Sequence, residues 1–582
     1  MSKAGKAAGL GLVIFATVWV VTLWQWYRTQ RPVSGAEVAA HLLALPLALV
    51  AVAWGAAWLS QRLRGLATAP VAPRVPPQAR MNAHAPDAAP EVAASAHRWP
   101  MPVHVLAEAL AVSAGLDAEQ AWQQLRQGQA RPQLDTRLED ANGCPILTGR
   151  VQELDADEWL QAHADWHEAP ATEPMRDAVV RAAALLEGPL HRLLMALMAR
   201  VPDPAVGMGA GDGLPVPSAT YLSGVGASVS VADRQARSAR APVLSVQVAW
   251  PSAWSPEEQT HAAAWLRRQC GTLLDWSRQW GAREPQWLAA TAPSPESFWH
   301  ELAQWLEAVQ ADPRPQLRLV LAADSLVDEA GVQHLLARGD LFTSHHQSGR
   351  VPGEGAAGLL LGNAAWLALH GADRDAPQLW QPASAQRAQS ADRIGRSEPG
   401  TLAGLLTQLD QGLHSAWHAG GPDETHEAPG DAGAVQVTDA HALPPAFGWV
   451  LSDADHRPGR TAELFEAVQG RHPGLDPMTR VLRLGDACGD LGMARALVPV
   501  ALASAAVRGG WLADAGGAAG AGDAGSAVAQ ATAAAHSGVR VPLVQSSHAR
   551  VVLAVTPPAP RAVAPSSPSS SEAASARDAL SV

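Results

Sequence analysis

Residues 324–362 read "DSLVDEAGVQHLLARGDLFTSHHQSGRVPGEGAAGLLLG". The stretch continues an apolar run, "PQLRLVLAADSLV", that reads as a strand, and it closes on a second apolar run, "GLLLG". Between them His345-His346 stand in a polar loop, and Gly349 to Gly355 form a glycine-rich turn between core elements. Neighbouring histidines cannot share a helix face, so the pair reads as solvated loop.

Working outward, the same alternation recurs. "APVLSVQVAW" (241–250) alternates like a strand, and "SPEEQTHAAAWLRRQCGTLLDWSRQW" follows as one amphipathic helix opened by a capping box of Ser255 and Glu258. Residues 101–117 begin strand-like and pass into a helix that Asp117 can cap. "RPQLDTRLEDANGCPILTGRVQELD" has an "ANG" turn before an apolar run, a loop and then a strand. Residues 173–200 have helical spacing interrupted at Gly188-Pro189, which predicts a bent helix or helical pair. Strands alternating with helices place the chain in the α/β class.

Composition narrows the function classes. The formal charge is −12, and beyond residue 65 there are 37 basic and 54 acidic residues, a balance of −17. Such a surface repels nucleic acid. Lys3 and Lys6 are the only lysines, so a phosphate-loop lysine, Schiff-base chemistry and a Ser–Lys dyad are excluded from the soluble part. Cys144, Cys270 and Cys488 are far apart and in no CxxC spacing, against a disulfide framework or zinc ribbon. High Arg, Ala and Gly usage suggests a GC-rich bacterial genome.

Residues 7–27 and 38–60 are uncharged runs of 21 and 23 residues, each long enough to cross a hydrocarbon core of about 30 Å. Lys3, Lys6, Arg62, Arg64, Arg74 and Arg80 flank them on one side, against Arg28 and Arg31 in the loop. The positive-inside rule then gives two inner-membrane spans with the soluble region in the cytoplasm. Residues 66–95 are a Pro/Ala-rich linker, 96–235 a smaller α/β module, and 236–557 a larger layered domain with flexible insertions near 417–440 and 509–538. The tail, 558–582, is too polar to fold.

Few residues offer chemistry. "GMGAGDG" (207–213) follows a helix and "VPDP" instead of a strand, so it reads as a turn, not a dinucleotide loop. His163 and His167 stand four apart without a third ligand and read as surface residues. No GxSxG occurs, and Cys270 lies in an amphipathic helix as a small buried hydrophobe. No catalytic residue, cofactor or metal is assigned. Most of the 22 tryptophans are expected in the core.

Four segments resemble the thiolase-like β-ketoacyl synthase superfamily in the same order. They are Asp324-Ser325 leading to Pro352-Gly353-Glu354-Gly355-Ala356-Ala357, then "LSDADHRPGRTAELF", "GDLGMARALVPVALA" with Gly489, Asp490 and Gly492, and "VPLVQSSHARVVLAV". They span about 315–557, with no comparable match in the first half. The resemblance implies a thiolase-like fold and a homodimer. In the enzymes a cysteine works with two histidines, one in an HGTGT-type stretch and one after a glycine. Here the stretch near "LSDADH" has no HGTG, and Asp490 follows Gly489. An aspartate disfavours a thiolate by like-charge repulsion, so the motif residues are expected to be structural. The hydrophobic amino terminus, the module from residue 107 to 155 and the degenerate synthase-like domain together resemble the type VI secretion lipase-adapter family. That implies a non-enzymatic adapter that binds a phospholipase effector and loads it on the secretion spike protein. The alternative is an acyl-CoA- or acyl-carrier-dependent thiolase-superfamily enzyme with altered catalytic residues, such as Asp490 or His346.

Overall fold

The two apolar runs flanking the glycine-rich turn are continuous because each strand is covered on both faces, as strands inside a layered α/β protein must be. The computed structural model describes residues 102–164, 166, 175–201, 241–280, 282–290, 293–392, 399–419, 447–512 and 537–558. These lie in one compact unit, Ser95–Val582. The expected membrane spans, the linker, the 207–213 loop, His167, most of the 417–440 insertion, most of 509–538 and nearly all of the tail fall outside the described residues. No described helix is long and apolar enough to cross a membrane.

The first half holds, in chain order, β1 (Val103–Val112), α1 (Ala118–Arg126), β2 (Gln133–Glu139), β3 (Pro145–Thr148), α2 (Ala156–Ala162) and α3 (Asp177–Met198). It continues with β4 (Val243–Ala249), α4 (Pro256–Gln269), α5 (Thr272–Trp280), β5 (Gln286–Ala290), α6 (Pro295–Ala311), β6 (Gln316–Ser325), α7 (Glu329–Arg338) and β7 (Glu354–Gly362). The second half holds β8 (Gln378–Leu379), β9 (Ala383–Gln386), α8 (Gly400–Ala419), β10 (Phe447–Ser452), α9 (Pro458–Arg471), β11 (Val481–Arg483), α10 (Val498–Arg508), β12 (Gly538–Leu543) and β13 (Ala549–Thr556).

Eleven strands join in one mixed sheet, and the sheet is a duplication. In the first half the order is β5-β4-β6-β7-β1, with β5, β4 and β6 parallel, β7 antiparallel to β6, and β1 antiparallel to β7. In the second it is β11-β10-β12-β13-β9, with the same two parallel and two antiparallel pairings. Counted along each half, both orders are 3-2-4-5-1. The two-residue strand β8 joins the halves, since Leu379 pairs with Val103 on one side and Val555 on the other. The first half thus has the topology of the second, and the first of the four resembling segments, Asp324-Ser325 with Pro352–Ala357, belongs to β6 and β7 of this first half and not to the second.

Side-chain alternation assigns the layers. Leu317, Leu319 and Leu321 of β6 pack with α3, α4 and α5. Val320 and Ala322 face the other way, into a core shared with α6, α10 and strands of both halves. On the far side, Val450 and Val552 pack with α8 and α9. The succession is helix, sheet, helix, sheet, helix.

Several expectations change. The boundary near 235 does not separate two folding units, because β1 of the expected small module runs in the interior of the sheet between β7 and β8. The "ANG" turn closes a true hairpin, β2 with β3. The helix at 173–200 is single and continues through Pro189. Residues 256–280 form two helices, parted at Cys270-Gly271. Inside the opening segment, residues 329–338 are helical, capped by Asp328 and ended by Gly339 in the left-handed conformation. The caps at Asp117 and Ser255–Glu258 form as expected. Among the described residues eleven tryptophans are buried, so packing accounts for them without an interface.

Candidate functional site

The motif residues tie three distant segments into one knot. Glu354, fully buried, is bound through Arg181 Nε at 2.8 Å and Nη2 at 2.5 Å, and it accepts the Val151 N–H and the Ser325 hydroxyl, both at 2.8 Å. Asp324 Oδ2 accepts the Met493 N–H at 2.8 Å. Pro352 bridges to Asp490, and Gly353 to Gly149. The glycines are there for approach: a Cβ on Gly149 would stand 1.8 Å from the Cys488 carbonyl oxygen, and one on Gly353 2.2 Å from the same atom. Gly489 and Gly492 have φ of 74° and 53°, where other residues are strained. Gly355 packs against Val112 of β1.

Beside this knot three carboxylates surround one guanidinium. Glu296 comes from the first turn of α6, Asp453 from the residue after β10, and Asp490 from the loop before the 3-10 turn Gly492–Ala496, which carries Arg495. Arg495 Nη1 is 2.7 Å from Asp453 Oδ2 and 2.9 Å from Glu296 Oε1. The second approach is an ion pair without hydrogen-bond geometry, since Glu296 Oε1 has no hydrogen-bond donor. Asp453 Oδ1 also accepts the Val544 N–H at 2.6 Å. Asp490 Oδ1 accepts the Gly492 N–H at 3.0 Å, and its Oδ2 lies 3.3 Å from Arg350 Nη1. Outside them Arg457 pairs with Asp455 at 2.7 Å.

The charges follow from this packing. Burial pushes Asp453 above the usual carboxylate range, with Arg495 opposing it. Burial acts the same way on Asp490, but Arg350, Arg495 and Arg457 outweigh it and hold that carboxyl low. Asp324 has no such partner; burial, with Asp490 adding to it, pushes it up to about 8. Burial would lower Arg495, and Glu296, Asp453 and Asp490 together raise it instead.

The thiols stand elsewhere. Cys488 bonds the Ser113 side chain and the Ala114 backbone, and burial pushes it up to about 11. Cys270, the C-cap of α4, is pushed up to about 12 by burial alone. Neither has a histidine among its partners in these contacts, so neither is held as a thiolate. His456, the histidine of "LSDADH", has its ring against Phe342 at 5.0 Å. His346 Nδ1 meets the Leu341 carbonyl, and His345 is exposed as expected. His163 departs from the surface expectation: it stacks on Trp159 and its Nε2 is 2.8 Å from Glu187. Among the described residues no group of His, Cys, Asp and Glu is spaced to hold a metal.

Glu296 lies in no resembling segment, and Arg495, though inside "GDLGMARALVPVALA", has nothing in the sequence to mark it as the partner of residues so far away. Asp453 lies inside "LSDADH", where the sequence shows the lack of an HGTG but not the carboxylate's partner. Chemically, the cluster neutralises itself: a carboxylate fixed to a buried guanidinium is a weak base, and neither buried thiol, Cys270 or Cys488, is activated.

No family model matches the sequence, and no curated protein matches it. Solved structures do. One titled "AntDE:AntF (apo): type II PKS acyl-carrier protein in complex with its ketosynthase bound to the hexaketide" is 11% identical with a TM-score of 0.42, covering 79% of this chain and 100% of that one. The ketosynthase from module 6 of the bacillaene synthase of Bacillus subtilis 168 is 11% identical with a TM-score of 0.39, covering 79% and 72%. A variant of Xanthomonas campestris OleA with cerulenin is 11% identical with a TM-score of 0.33, covering 79% and 98%. At such TM-scores the likeness says nothing of a reaction or a ligand.

Proposed function

We propose that the protein is a thiolase-like scaffold that has left cysteine chemistry and serves as a non-enzymatic adapter. It binds a lipase-type effector protein in the cytoplasm and loads it on the type VI secretion spike. One observation carries the loss of chemistry: Asp453, and Asp490 with Arg495, lie in the two segments where the resembling enzymes keep histidines, and Arg495 joins Asp453 to Glu296 of α6. The duplicated strand order, present in both halves, supports the thiolase-like reading. The partner class rests on the sequence resemblance. A homodimer, two inner-membrane spans and the absence of a nucleic-acid partner complete the proposal.

The test is capture of the tagged full-length chain from its own cells, with bound proteins identified by mass. Recovery of a lipase-type effector together with spike protein supports adapter function; recovery of acyl carrier protein alone sinks it.

A second reading keeps an enzyme on this fold. Asp324 and Asp490 are buried neighbours pushed in opposite directions, an arrangement in which one carboxyl holds a proton while the other stays charged. On this reading the protein turns over an acyl-CoA or acyl-carrier thioester with a carboxylate in place of the usual groups. Release of free CoA from acyl-CoA by the wild type, abolished in Asp490→Asn, is its expected result. No release above buffer leaves the adapter reading standing alone.

A further inference from the structure

The starts of three parallel strands carry a polar row. Gln286 of β5, Ser245 of β4 and Arg318 of β6 stand opposite one another in register. They sit just before the residues of β6, Val320 and Ala322, that pack in the core with α6. Here α6 presents Trp305, whose ring centroid lies 4.3 Å from the Arg318 guanidinium carbon. A cavity of about 570 Å³ opens at this place, with Arg283, Glu284, Trp305, Arg314 and Arg318 in its lining.

Arg318 is only 8% exposed. Its Nε donates to Ser245 Oγ at 3.0 Å and its Nη1 to Gln247 Oε1 at 2.9 Å, and both acceptors are neutral. No carboxylate among the described residues acts on it, and burial alone pushes it down to about 9. The neighbouring Arg314 differs, because Asp312 takes its charge at 2.6 Å. Glu284 lines the cavity without bonding to the guanidinium.

Every other arginine in the interior described above has a carboxylate: Arg181 has Glu354, Arg457 has Asp455, and Arg495 has Asp453. A buried cation with no counter-charge pays its desolvation without return. A guanidinium is also the side chain best shaped for a carboxylate or phosphate, which it binds through two parallel N–H donors. We infer that this cavity is a binding site for a small molecule bearing a carboxylate or phosphate group, with the oxyanion seated on Arg318. Its volume falls within the roughly 300–1,000 Å³ of small-molecule sites. The site lies at the beginnings of the parallel strands, whereas Asp324 and Asp453 lie at or beyond strand ends, so it is distinct from the carboxylate cluster.

The experiment is thermal unfolding of the full-length chain in inorganic phosphate or acetate, against potassium chloride of equal ionic strength. Ligand that binds the folded state stabilises it by mass action, so at least one anion should raise the midpoint saturably, by about 2 °C or more. Phosphate acting alone identifies a phosphate-bearing ligand, and acetate acting alone a carboxylate-bearing one. Arg318→Met should lose the shift. Gln247→Glu supplies an internal counter-charge, so it should lose the shift too and raise the midpoint of the unliganded protein. The inference is overturned when neither anion moves the wild type, or when the shift survives in Gln247→Glu. That variant also decides the matter where Arg318→Met fails to fold.

Discussion

A single guanidinium decides the character of the central site. Arg495 is the one cation among the described residues within bonding distance of both Asp453 and Glu296, and removing one partner of a buried ionic group costs about 3–5 kcal/mol. Arg495→Gln should therefore lower the unfolding free energy by that amount in denaturant titrations. Adding Asp453→Asn and Glu296→Gln should recover most of it, because the orphaned charges are then gone. Asp324 makes a prediction of opposite kind. Its folded pKa, about 8, lies above its unfolded value, so the stability tied to its proton is present below about pH 4 and is lost as pH rises through 8. Asp324→Asn, which keeps an acceptor for the Met493 N–H, should gain on the wild type across that window and show no gain at pH 4. For the thiols, native protein should react quickly with a thiol reagent at Cys144 alone, the exposed one, and at all three cysteines once denatured. Fast native labelling of Cys488 would count against the site as described.

At the scale of elements, the glycine-led turn works as a joint. Gly149, Gly353 and the Cys488 carbonyl meet so closely that Gly149→Ala must move backbone. It should cost on the order of 2–4 kcal/mol, where the same change at the open, non-strained position Gly474 costs well under 1. This joint also explains what could be read in the chain. "PGEGAA" announces a turn into a strand because proline and glycine punctuate the chain whatever they meet, and caps such as Asp117 and Ser255 announce helices from a few neighbouring residues. The partner of Glu354 could not be read: Arg181 sits mid-helix on α3, in a run whose apolar spacing shows only which face is buried. Of the bent helix or helical pair expected at Gly188-Pro189, the pair does not form, since buried packing along α3 overrides a local propensity.

For the whole molecule, alternating strands and helices made the α/β class legible, but the number of folding units was not. A boundary at 235 looked natural because turn-rich sequence surrounds it, yet β1 completes the first half-sheet only by pairing with β7, some 250 residues later. Such pairings are invisible to periodicity and belong to slow, non-local folding. The duplication was hidden as well, since the halves share topology without sharing motifs. The carboxylate cluster was half legible: Asp490 stood out by position, while Glu296 and Arg495 meet only after the two halves close on α6 and α10.

The small strand β8 has one more effect. Leu379 touches the beginning of β1 with one edge and the end of β13 with the other, so these two strand ends lie about 10 Å apart, two strand spacings. The described polypeptide is therefore close to a ring. A circular permutant that links residue 558 to residue 102 through a few glycines, with new ends opened at the exposed turn by Asn142, should fold and melt like the parent. A label at residue 558 therefore also reports on the surroundings of residue 102.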